Sequence, residues 1–125
     1  KFSVATPMVN TRELPHTVPF LRRHLPTVLT TQCFNEHHQS FRKEVAQTEL
    51  GHLFEHVLLR YLCDEKLNAG YRNAVFSGKT DWNWYRDPRG TFHITIEANR
   101  RDWPLFLTAL KRSILLFERF LLPVS

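Results

Sequence analysis

The chain has no apolar run long enough to cross a membrane: its longest stretches, such as Val57-Leu58-Leu59 and Ile114 to Phe117, are cut by charges well short of the roughly 18 residues a span needs. No membrane partner is expected. Cysteine is scarce too, with 2 in 125 residues, Cys33 and Cys63, far apart and without a C-x-x-C. That fits neither a disulfide scaffold nor a zinc ribbon, so both read as buried small hydrophobes in a reducing compartment, the cytoplasm. G-x-S-x-G is absent, and neither cysteine has a local partner that marks a nucleophile. Ser77-Gly78-Lys79-Thr80 ends like a phosphate loop, but Asn73 stands where the first glycine belongs, which excludes nucleotide binding there. Long basic runs are missing as well. The net charge is +5, yet the basic residues fall in short groups (Arg22-Arg23, Arg42-Lys43, Arg100-Arg101, Lys111-Arg112) with acids nearby. This argues against a nucleic-acid partner and suits an acidic peptide at least as well. Lys1 to Glu13 holds no continuous hydrophobic segment, so it does not read as a signal peptide.

What is present is enough for one core. A hydrophobic share of 42% and an aromatic share of 13% exclude a disordered chain, and the length implies a single domain over residues 1–125. Phe2 to Ala5 is a candidate strand, and Val18, Leu21 and Leu25 mark a short helix between Pro15 and Pro26. From Ser40 to Asn68 the spacing of Phe41, Val45, Leu50, Leu53, Phe54, Val57, Leu58, Tyr61 and Leu62 predicts a long central helix ended by Gly70, about 40 Å if unbroken. Ala74-Val75-Phe76 is a short strand candidate, Ser77 to Thr80 a turn, and Asp87 to Gly90 a reversal. Thr91 to Ala98 alternates, with Phe92, Ile94 and Ile96 on one face and Thr91, His93, Thr95 and Glu97 on the other. Asp102 can cap a last helix with Pro104 in its first turn. The expected class is α+β, a small β-sheet packed against a long central helix and flanking helices.

The chemistry concentrates in Gly51-His52-Leu53-Phe54-Glu55-His56, which contains H-x-x-E-H inside the long helix. His52 and His56 are one turn apart, so their imidazoles leave the same face, as two ligands to one metal must. Glu55 lies on the same side, placed to take a proton from an attacking water. This is the inverted zincin arrangement: two histidines bind Zn²⁺ and the glutamate is general base. The competing reading is a buried hydrogen-bond network, because polar groups among Leu53, Phe54, Val57 and Leu58 need partners of some kind.

Catalytic zinc takes three protein ligands. Candidates for the third are Glu49, Glu97, His93, His37 and His38. Glu97, on the strand's polar face, is favoured; Glu49, one turn before His52, is a supporting or alternative ligand. His93 sits about 13 Å from Glu97 along an extended strand, so the two do not easily share one ion, and His93 reads as a substrate-contacting or exposed residue. Trp82, Trp84 and Tyr85 are either a stacking platform or cover for the sheet.

The chain also resembles the amino-terminal domain of cyanophycin synthetase. The matching stretches are Glu13-Leu14-Pro15, Leu25-Pro26, Cys33, Thr48 to Val57, Ala69-Gly70, Ser77 to Thr80, and Gly90 leading into the strand that ends at Glu97. The resemblance implies a zincin-like metallopeptidase unit that cuts the arginine-aspartate polymer, with His52 and His56 as zinc ligands, Glu55 as base and Glu97 as third ligand. The synthetase's ATP-binding and ligase domains have no counterpart in these residues, so polymer synthesis is not implied. Arg60 stands where that family tends to carry an acid, and Gly78-Lys79-Thr80-Asp81 replaces its Gly-Arg-Thr-Arg, so substrate preference is expected to differ. The expectation is a zinc-dependent hydrolase of peptide or amide bonds; a non-catalytic binding module and a basic nucleic-acid-binding domain are the rivals.

Overall fold

The three- and four-residue spacing of Leu50, Leu53, Phe54, Val57, Leu58, Tyr61 and Leu62 builds the helix around which the other elements are arranged. A computed structural model describes residues 2–3, 9–30, 45–72 and 76–121. Among the described residues the order is β1 (Phe2–Ser3), α1 (Thr17–His24), α2 (Leu50–Asn68), β2 (Ser77–Asp81), β3 (Thr91–Glu97) and α3 (Trp103–Phe120). Short 3₁₀ turns lie at Thr11–Glu13, Pro26–Thr30, Val45–Gln47 and Arg100–Asp102. The sheet is antiparallel with order β1-β3-β2, and α2 packs beneath β2 and β3 while α3 lies alongside α2. The class is α+β, as the sequence indicated. Among the described residues no helix is long and apolar enough to cross a membrane.

The central helix is shorter than its apolar pattern predicts. It begins at Leu50 and runs 19 residues, about 28 Å rather than 40. The reason is a long-range backbone contact. Glu49 is extended (φ −67°, ψ 145°) and bridges Asn10, the Leu50 N–H donates to the Val9 carbonyl at 2.8 Å, and the Thr11 N–H donates to the Thr48 carbonyl at 2.8 Å. Residues so engaged cannot also complete a helical turn. Positions 40–44 of the expected helix lie outside the described residues.

The second difference is β2. Ser77 to Thr80 was expected as a turn after an Ala74-Val75-Phe76 strand; instead Ser77–Asp81 is the strand, while Ala74 and Val75 lie outside the described residues. Of Ser-Gly-Lys-Thr-Asp, only Thr80 favours a strand by propensity. Pairing with β3 imposes it: Gly78 faces Ile96 and Thr80 faces Ile94. A Cβ on Gly78 would come within 2.8 Å of both Ile96 Cδ1 and the Thr95 carbonyl, so only glycine lets the strands close here. β1 occupies Phe2–Ser3 of the expected Phe2 to Ala5, the rest lying outside the described residues. β3 matches its alternation to within a residue, and Gly90 takes the reversal before it at φ 94°.

The core fills the space between the helices. Leu53, Val57 and Leu62 are fully buried, and Phe54 meets Phe117 edge-to-face with ring centroids 5.1 Å apart. Asp102 does not cap α3 with its side chain, as its position suggested. It is buried and pairs with Lys66 Nζ at 2.7 Å, tying the end of α2 to the start of α3. Lys66→Met would leave that carboxylate buried without its cation. The expected loss is about 2 kcal/mol in chemical denaturation, less than for a fully dry pair because Lys66 keeps some solvent contact. An unchanged midpoint would show that the pair contributes nothing net.

Candidate active site

Helical periodicity sets the first fact about the site: positions 52, 55 and 56 share one face of α2. Glu55 and His56 are buried and His52 is half-buried. His56 Nε2 and His52 Nε2 are 3.2 Å apart, with the rings nearly perpendicular. On the other side of the His52 ring, Nδ1 lies 2.8 Å from Thr48 Oγ1. We assign the His52 proton to Nδ1, donating to the Thr48 oxygen, so that His52 Nε2 accepts from His56 Nε2–H. Two imidazole nitrogens therefore converge on one point. Ligands of a tetrahedral zinc at about 2.0–2.1 Å are about 3.3–3.4 Å from each other, close to the separation found here.

Electrostatics suits the same chemistry. Burial, reinforced by the neighbouring His52, lowers the His56 pKa to about 3. The imidazole is thus neutral at physiological pH, the form a metal needs. The Glu55 carboxyl moves the other way. Burial raises its pKa above the ordinary carboxylate value; the Thr80 hydrogen bond and His52 partly offset this, and Asp81 adds to it. A glutamate shifted upward is a better proton acceptor near neutrality than an exposed one.

The sheet holds the carboxylate in place. Thr80 Oγ1 donates to Glu55 Oε1 at 2.6 Å, and a Cβ placed on Gly78 would be 3.5 Å from Glu55 Cγ. On the helix side, Gly51 meets the ring of Phe92, and a Cβ there would overlap that ring. Two glycines thus allow β2 and β3 to close over the His52–Glu55 turn. Thr48 is itself fixed, its N–H donating to Thr11 Oγ1 at 2.9 Å. The bracing of His52 therefore reaches back to the first turn of the described chain.

The remaining candidates fall elsewhere. Phe92, Ile94 and Ile96 turn inward because they need the helix layer, which carries His93, Thr95 and Glu97 to the opposite face of the sheet. There Glu97 sits across from Ser77 and accepts from its Oγ at 3.1 Å, and His93 Nε2 bonds Asp87 at 2.9 Å. The structure does not bring Glu97 or His93 to the histidine pair. Glu49 takes the N-cap position of α2 without a side-chain cap bond. His37, His38 and Cys33 lie outside the described residues, and Cys63 is half-buried. Among the described residues no three His, Cys, Asp or Glu side chains form a metal-holding group.

Thr48 and Thr80 are the site residues that sequence reasoning missed. Thr48 is four positions before His52, a spacing that would have exposed it; Thr80 had no such signal, because its segment reads as a turn. Trp82 and Trp84 both pack edge-on against Phe92, with centroids 5.7 Å away in each case. Trp84 Nε1 also donates to the Thr91 carbonyl at 3.0 Å, so of the two readings these rings serve as cover, while Tyr85 is fully exposed. The chain matches no family model, no curated protein and no solved structure.

Proposed function

We propose that the protein is a zinc-dependent hydrolase of peptide or amide bonds with a zincin-like active site. The observation that carries this reading is the convergence of His52 Nε2 and His56 Nε2 at 3.2 Å beside the buried Glu55 carboxylate. His52 and His56 would supply two of the ion's ligands through Nε2, with the His56 proton moved to Nδ1, and zinc would supply Lewis acidity to the scissile carbonyl and a more acidic water. Every other role falls to the chain. Glu55 accepts the proton of the attacking water and returns it to the leaving amine. Thr80 keeps the carboxylate oriented, and Thr48 keeps the His52 proton on Nδ1 so that Nε2 faces the ion. Phe92 is fully buried against Gly51 of that helix turn, and Phe54 is buried against Phe117.

The resemblance to the amino-terminal domain of cyanophycin synthetase makes the arginine-aspartate polymer the first substrate to test, in the cytoplasm that the two cysteines suit. The decisive assay follows amine release from that polymer and from mixed peptides, with and without a zinc chelator. Chelator-sensitive hydrolysis restored by Zn²⁺ is expected. Zinc binding without any hydrolysis would favour the non-catalytic module instead.

Thr48→Val keeps the side-chain shape and removes the oxygen that holds His52 Nδ1. Zinc affinity is expected to fall roughly tenfold or more, read by competition with a chromogenic chelator, with stability lowered by about 1 kcal/mol. Unchanged affinity would mean that His52 does not act as a ligand through Nε2.

A further inference from the structure

Tyr61 of α2 is only 7% exposed, yet its hydroxyl makes no hydrogen bond to any described residue. A buried hydroxyl without a partner costs free energy, so a partner from outside the chain is expected. The residue lines a pocket of about 560 Å³ where the end of α1, the middle of α2 and the second half of α3 meet, a volume in the range of small-molecule sites. Two more donors without a hydrogen bond to the described residues line the same pocket. One is His24, whose ring rests against Phe20 with centroids 4.4 Å apart; the other is Arg119, which has no ion pair among them. Arg112 differs. Its guanidinium lies 4.3 Å over the Tyr61 ring and pairs with Glu65 at 2.8 Å, so its charge is already met. Leu115 and Leu116 add an apolar wall. Burial pushes the Tyr61 pKa up, against a smaller lowering by Arg112, so at neutral pH the hydroxyl keeps the proton it has to donate.

We propose that this pocket binds a small carboxylic acid with an apolar body, whose carboxylate accepts hydrogen bonds from Tyr61, His24 and Arg119 while the body lies against Leu115 and Leu116. Three unused donors from three different helices converge there, and a carboxylate is an acceptor with room for all of them. Charge selects the anion. Glu118 is the one acid among the described residues that line the pocket, and it forms no ion pair with Arg119. One guanidinium without a counter-ion balances one negative charge, whereas a phosphate dianion would meet the same guanidinium and about twice the repulsion from Glu118. Tyr61 follows His52 by nine positions, half a turn round α2, so the pocket lies on the opposite face from the histidine pair. It stands whether or not the zinc reading does.

The test titrates the full chain with phenylbutyrate in a calorimeter, with phenylbutyramide and phenyl phosphate as comparison probes. Saturable binding of the acid with Kd below about 1 mM is expected, and each comparison probe should bind about tenfold or more weakly. Tyr61→Phe removes only the hydroxyl and should weaken the acid about tenfold, while the denaturant midpoint stays the same or rises because no internal hydrogen bond is lost. Arg119→Gln, at an exposed position, should weaken binding about tenfold or more, and Glu118→Gln should tighten it. Four results would overturn the proposal. No saturable binding is the first, and equal binding of the neutral amide, which would mean apolar contact only, is the second. The third is tighter binding of phenyl phosphate, which would make the ligand a different class of anion. The fourth is unchanged binding of the acid in both Tyr61→Phe and Arg119→Gln, which would place it elsewhere on the protein.

Discussion

Glu55→Gln is expected to lower peptide hydrolysis about a thousandfold while leaving zinc content and fold intact. Glutamine has the same shape, and its carbonyl oxygen can still accept from Thr80 Oγ1, so the geometry around His52 and His56 is preserved. What disappears is the proton acceptor. The sign of the stability effect separates this from a folding defect. The Glu55 pKa is raised in the folded chain, so the native state is penalised relative to the unfolded one as pH rises from the ordinary carboxylate value through the folded value. Glutamine carries no such penalty. At neutral pH the variant should therefore unfold at the same or a higher denaturant concentration. An activity drop of less than about fivefold would remove Glu55 from the role of base.

Phe92→Ala is expected to destabilise the chain by about 4 kcal/mol, the largest stability effect of any single side chain near the site. Phe92 is fully buried, touches Gly51 of α2, and supports both Trp82 and Trp84. Removing the ring opens a cavity between sheet and helix at the turn that bears His52. The reverse insult is Gly51→Ala, whose Cβ would overlap the Phe92 ring near its attachment point, where it cannot swing away. That variant should lose about 2–3 kcal/mol. The two changes are expected to be strongly non-additive, because in the double variant the alanine methyl enters space that the ring has left. Denaturant midpoints of both single variants and the double one measure the coupling. Additivity within about 0.5 kcal/mol would show that helix and sheet do not meet at this point.

Where structure follows local pattern, the sequence was a sufficient guide. The apolar spacing from Leu50 to Leu62 and the alternation from Thr91 to Glu97 each specify their element, and the spacing of His52, Glu55 and His56 places all three on one helix face. Long-range contacts hid the rest. The start of α2 depends on Asn10 and Val9 meeting Glu49 and Leu50 across a wide sequence gap. β2 is a strand because of its partner, not its composition. Glu97 illustrates a subtler loss. Alternation divides β3 into two faces correctly, but the apolar face must meet α2, and that same division takes Glu97 away from the histidines. Thr80 could be identified only once β2 was seen to run over Glu55.

Zinc content tests the central claim most directly, since both histidines owe their proposed role to the metal. Protein purified without chelator and then dialysed against Zn²⁺ should hold about one equivalent, and His52→Ala and His56→Ala should each reduce that to roughly 0.2 or less while circular dichroism stays native. Less than about 0.2 equivalents in the unaltered protein, or full retention in both alanine variants, would contradict it.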